Sequence, residues 1–210
     1  MHTPASLRTL VVDIVERTPV YDIHTHLYDP AFGELLLWGI DDLLVYHYLI
    51  AEGFRQADLP YEQFWGMSKR EQADAIWNAL FVEHSPISEA CRGVLTVLNK
   101  LGLDVKQRDL PALRRHFEQW DPGDFIARCL SLANVRKVCM TNSPFDEVER
   151  PIWERGFARD SRFVAALRID PLLCDWENTV PKLRAWGYDV SADFAGKTFD
   201  EVRRFLAEWT

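Results

Sequence analysis

The sequence predicts an α/β fold: part of a (β/α)8 barrel, about its first three strands, with a large helical insertion after the first. Three observations carry this reading. A short β-branched and aromatic run, Val20-Tyr21-Asp22-Ile23-His24, ends in Thr25-His26-Leu27. Residues 40–133 then read as helix almost throughout. After 134 the rhythm becomes strand, helix, strand, helix, the pattern of β/α units.

Taken in order, Leu7, Leu10, Val11, Ile14 and Val15 recur at helical spacing over 4–17. Pro19 ends that helix, the strand at 20–24 follows, and Asp29-Pro30 marks the loop after it. Asp41 and Asp42 suit a helix start, with Gly53 as its expected stop. Further helices are expected at 69–82, 86–101, 110–119 and 122–132, with Pro86 and Pro111 near helix starts. Val135–Thr141 reads as the second strand and Pro144–Phe157 as a helix. Arg162–Asp170 reads as a third strand, apolar enough to be buried on both faces. Helices at 172–186 and 197–209 complete the chain. Residues 1–210 are taken as one barrel-derived domain, with 40–133 inserted in it.

The 210 residues are 48% hydrophobic and 27% charged, which suits a globular protein with a real core. A net charge of −8 with no basic run argues against nucleic acid as a partner. No apolar run approaches the roughly 20 residues of a membrane span, and residues 1–20 do not read as a secretory signal. Cys91, Cys129, Cys139 and Cys174 form no C-x-x-C pair. They read as free, mostly buried thiols of a reduced, cytoplasmic protein. Trp65, Trp77, Trp120 and Trp153 read as core.

His24-x-His26 is the sharpest chemical feature. Residues i and i+2 of a strand share a face, so two imidazoles at a strand's end can reach one ion. Neutral imidazole favours zinc and other first-row divalent metals. In a parallel barrel the carboxyl ends of the strands form the active-site mouth. The competing reading is two ordinary loop histidines. Asp22, just before the pair, reads as structural, a hydrogen-bonded residue of the rim.

Val20–Leu27 resembles the first strand of the amidohydrolase superfamily, and the helical block after it resembles the uronate isomerase branch. Thr141-Asn142-Ser143-Pro144-Phe145-Asp146 is similar to that branch's T-D-D-P-x-D, and Leu167-Arg168-Ile169-Asp170 to its R-P-D. The resemblance implies a divalent metal, zinc foremost, on His24 and His26. It implies an anionic sugar-acid substrate near Arg168, and a proton moved between C1 and C2 to interconvert aldose and ketose. Alternatives on the same scaffold are a hydrolase or decarboxylase acting on a small carboxylate or amide, and an inactive truncated fragment.

The branch's His-Tyr pair at the start of the helix after the first strand is replaced here by Leu43-Leu44. His47-Tyr48 stands a turn later. His47 is a candidate substrate contact or a satisfied core histidine. His84, before Ser85-Pro86, is a second candidate at a helix junction. Arg168 suits a bidentate contact to a carboxylate, or a local pair with Asp170. His116, beside Arg114 and Arg115, reads as a solvated face. No residue is assigned as the acid/base group. A closed barrel takes roughly 250 residues, so the reading expects further strands beyond Thr210 or a truncated product. It also expects a homo-oligomer, or association with the missing barrel half.

Overall fold

The computed structural model describes residues 4–209. The chain forms two compact units. One joins the segment up to Leu36 to the segment from Ala133 onward, and the other is Leu37–Leu132.

The first unit opens with helix α1, Pro4–Arg17, and strand β1, Val20–Thr25. Asn134 takes a left-handed conformation, φ 52°. Its side chain donates to the carbonyls of Glu16 and Thr18 at 3.2 and 2.9 Å, and its carbonyl accepts from Val20 at 2.8 Å. This turn brings the foot of β1 to the foot of the second strand across more than a hundred residues.

The second unit is helical: α2 (Gly39–Leu44), α3 (His47–Gln56), α4 (Tyr61–Trp65), α5 (Lys69–Trp77), a π-helical turn Asn78–Val82, α6 (Glu89–Lys100), α7 (Leu110–Glu118) and α8 (Pro122–Leu132). Ser68 and Glu71 form a capping box on α5. Ser88 and Asp109 cap α6 and α7. The core gathers Leu44, Leu49, Phe64, Ile76, Phe81, Leu98 and Phe117.

Several expectations are corrected here. The helix expected from Asp41 to Gly53 breaks at Val45-Tyr46 and then runs through Gly53 to Gln56. Gly53 is a packing residue: a Cβ there would lie 2.4 Å from Cδ1 of buried Ile76. Helix α4 was not read from the sequence. Trp65 is not core but 49% exposed. His47 and Tyr48 are also exposed, their rings in tilted contact at the start of α3. Arg114 is no surface residue: it is 6% exposed, and bridges Asp41 on α2, Asp74 and the Arg70 carbonyl on α5. His116 is half-buried, with no partner for its Nε2 among the described residues, and its ring packs toward Phe117 and Trp120.

The first unit resumes with β2 (Val135–Asn142), α9 (Glu149–Arg155), β3 (Phe163–Leu167), α10 (Asp170–Cys174), α11 (Trp176–Ala185) and α12 (Thr198–Trp209). The strands form one parallel sheet in the order β1-β2-β3. Its register pairs Val138 with Phe163 and Thr141 with Ala166, while Thr25 of β1 meets Met140. One face is buried, through Val138, Met140, Asn142 and Phe163. Around Phe145, Leu183, Tyr188 and Phe205 the following helices build a second core.

Here too the sequence reading is adjusted. The expected helix 144–157 shortens to α9, because Ser143–Asp146 forms a turn whose Asp146 carboxylate accepts from Val148 and Glu149. The helix expected at 172–186 is two helices that part at Asp175. Strand β3 ends at Leu167 and is not buried on both faces, since Val164 is exposed. Ile23 of β1 is 86% exposed, and α1 exposes Leu7, Leu10, Val11, Val12, Ile14 and Val15. All four cysteines are free; Cys91 is buried and Cys174 exposed. Among the described residues no helix is long and apolar enough to cross a membrane.

Candidate functional site

At the carboxyl end of the sheet lies a cleft of about 580 Å³, lined by His24, Thr25, His26, Tyr28, Thr141, Leu167, Arg168, Ile169 and Asp170. All belong to the first unit. Each strand end contributes to it.

From β1 come the two histidines. Thr25, the last residue of β1, is buried, while His24 and His26 on either side of it are exposed; the strand's register shifts between Asp22 and Thr25. Their ring centroids lie 5.1 Å apart at an interplanar angle of 80°. Tetrahedral zinc with N–Zn bonds of about 2.0–2.1 Å places two ligand rings with centroids about 5 Å apart. The separation of the pair matches that spacing, and it equally matches edge-on packing of the two rings. Among the described residues no group of three or more His, Cys, Asp or Glu is placed to hold a metal.

The backbone here is held by side chains. The Asp22 carboxylate accepts from the His24 amide at 3.2 Å, and the Thr25 hydroxyl accepts from Leu27 at 3.2 Å. Past the strand, buried Asp29 accepts from Ala31 at 2.9 Å and from Asp160 at 2.8 Å, while its own N–H points to the Met140 sulfur. These contacts fix the loop that carries His26 and Tyr28.

From β2 comes Thr141, whose hydroxyl lies 3.3 Å from Nδ1 of His24. Its neighbour Asn142 is buried and donates to Glu149 at 2.7 Å. Glu149, 1% exposed, also accepts from the Ser143 amide and the Trp153 indole, each at 3.0 Å. This buried carboxylate ties the rim of β2 to α9. Burial first, and then the charges of Glu149 and Asp146, raise the Tyr28 phenol above its usual pKa.

Arg168 and Asp170 follow β3. The Arg168 amide donates to the Asn142 carbonyl at 2.7 Å, which anchors the residue to the sheet. Its guanidinium contacts Asp170 through Nε at 2.9 Å and Nη2 at 2.8 Å. The two side chains are 55% and 61% exposed, so the pair contributes little stability and can open to another anion.

The structure thus brings His24, His26 and Arg168 into one cleft. His47 and His84 belong to the second unit. His84 contacts the Ala79 carbonyl through Nδ1 at 2.7 Å and so closes the π-helical turn. In the sequence Thr141 is marked only as the first residue of the Thr141–Asp146 segment. Tyr28 and Glu149 were not singled out, since only the fold shows what they face.

The chain is similar over its whole length to a uronate isomerase from Bacillus halodurans C-125 known from a crystal structure. The two share 51% sequence identity and a TM-score of 0.96, over 100% of this chain and 50% of the other. This chain spans about half the length of that isomerase. No family model and no curated protein matches the sequence.

Proposed function

We propose that this chain, similar along its entire length to a uronate isomerase, forms the metal- and carboxylate-binding part of an enzyme that interconverts aldose and ketose sugar acids. One observation carries the reading: two histidines with metal-ligand spacing and an arginine face one cleft at the carboxyl edge of a parallel sheet. We read the sheet as three consecutive strands of a (β/α)8 barrel of the amidohydrolase superfamily.

His24 and His26 would hold a divalent cation, zinc foremost, through neutral imidazole nitrogens. When bound, the ion supplies Lewis-acid polarisation of a substrate oxygen. Arg168 would take the substrate carboxylate in a paired contact, exchanging it for Asp170. Tyr28, whose phenol lines the same cleft, can donate to a sugar oxygen. Thr25 and the Asp29 network hold these groups in place without touching substrate. A cation and a guanidinium in one cleft favour an acidic ligand over a neutral amide. The similarity to a uronate isomerase likewise favours this reading over a hydrolase or decarboxylase.

The proposed partner is a β/α polypeptide equivalent to the half of the similar isomerase that this chain does not cover. The unpaired edges of β1 and β3 and the apolar face of α1 suit strand and helix addition from such a segment. It would also supply the remaining metal ligands. Isomerisation of a panel of uronates, measured with zinc on protein joined to that half, tests the function. Turnover of uronates supports it; turnover confined to amides would replace it with a hydrolase.

A further inference from the structure

The ring of His24 is held from a second strand. Thr141 sits on β2, next to Met140 that pairs with Thr25 of β1, and is itself paired with Ala166 of β3. Its hydroxyl position is therefore set by the sheet and not by a loop. That hydroxyl lies 3.3 Å from His24 Nδ1, while Asp22 holds the His24 amide from below. An imidazole nitrogen binds a metal only through a lone pair, so which nitrogen carries the proton decides which can act as ligand. A histidine free in water prefers the proton on Nε2, which would leave the lone pair on Nδ1, facing Thr141.

We propose that Thr141 is a positioning residue whose hydroxyl oxygen accepts the Nδ1–H of His24, fixing the tautomer that presents the Nε2 lone pair to the cleft. Metal-binding histidines generally donate their second nitrogen to an outer partner that orients the ring; here the partner is a threonine hydroxyl on the neighbouring strand. The His26 ring packs edge-on against that of His24, so fixing one ring also limits the turn of the other. The functional half of this inference rests on the metal reading above; the tautomer half does not.

The test is nitrogen-15 NMR of the histidine side chains in this chain without metal, at a pH above the imidazole pKa. His24 is assigned with a His24→Gln variant, and zinc affinity is measured separately by competition with a chelator. Wild type should show His24 protonated at Nδ1. Thr141→Val should shift the proton to Nε2 and weaken zinc binding by about 10–100-fold. Thr141→Ser should restore both. A wild-type His24 protonated at Nε2, or a tautomer unchanged in Thr141→Val, overturns the proposal even if zinc still binds. A tautomer that follows the hydroxyl in a chain that binds no zinc sustains the Thr141 contact and removes the metal reading instead.

Discussion

Thr141 and His24 are 117 residues apart in sequence, and the hydroxyl of one lies 3.3 Å from the ring nitrogen of the other. The contact exists because β1 and β2 are paired in parallel, with Thr25 opposite Met140. The cleft is thus a product of the sheet. Each strand delivers one part: the histidines from β1, Thr141 from β2 and Arg168 just past β3.

Arg168 should govern acidic substrates. In protein competent for turnover, Arg168→Met should raise KM for uronates by one to two orders of magnitude, roughly the 1.5–3 kcal/mol of a charge-assisted hydrogen bond. Arg168→Lys should recover part of this, since an ammonium cannot make the paired contact. Steady-state kinetics on uronates, aldonates and neutral sugars checks it. Unchanged KM for the acids would remove Arg168 from the site.

Gly53 should resist a change that usually stabilises helices. Alanine in a helix interior gains about 1 kcal/mol over glycine, but here its Cβ would meet Cδ1 of Ile76 at 2.4 Å. Overpacking of this kind costs about 1–3 kcal/mol. Urea unfolding should place Gly53→Ala below wild type, and Gly53→Ala/Ile76→Val, which removes that methyl, above the single variant. A single variant more stable than wild type would contradict the close packing of α3 against α5.

His116 should make the protein less stable in mild acid. Burial first, and then the Arg128 charge, lower its pKa from 6.5. Below pH 6.5 the unfolded chain takes up the proton before the folded one. The stability contribution is therefore present above that pH and is lost as pH falls through 6.5 toward the folded value. Thermal melts at pH 8, 6.5 and 5 should show a smaller loss for His116→Phe than for wild type. An identical loss would place the acid sensitivity elsewhere.

Some of this was legible locally. The spacing of His24 and His26 at a strand's end put both at one cleft, and a third strand read as far as Asp170 put Arg168 in its last residues, one position past where β3 ends. Other features are not local. Arg114 is buried because acceptors from α2 and α5 converge on it, which no window of sequence shows. Tyr28 and Glu149 matter through each other and through Asn142, brought together by the fold. The apolar run of β3 suggested burial on both faces, yet Val164 is exposed. The run reports what the strand can bury, and the described chain covers one face of it.

Those exposed surfaces should drive association. Ile23, at 86% exposure on an edge that is unpaired among the described residues, offers both apolar area and backbone groups for pairing. Light scattering should find this chain associating at micromolar concentration, and Ile23→Lys should reduce the associated fraction. A wild-type chain that stays a cooperatively melting monomer would contradict the open-sheet account.

Zinc titration tests the central claim most directly. Wild-type chain, freed of metal and titrated against a chromophoric chelator, should take up one zinc ion per chain. The affinity should be modest, because two histidines alone rarely hold an ion against buffer. His24→Ala/His26→Ala should take up none, with the fold unchanged by circular dichroism. Equal zinc uptake by wild type and the double variant would show that the histidine pair at the end of β1 is not the metal site.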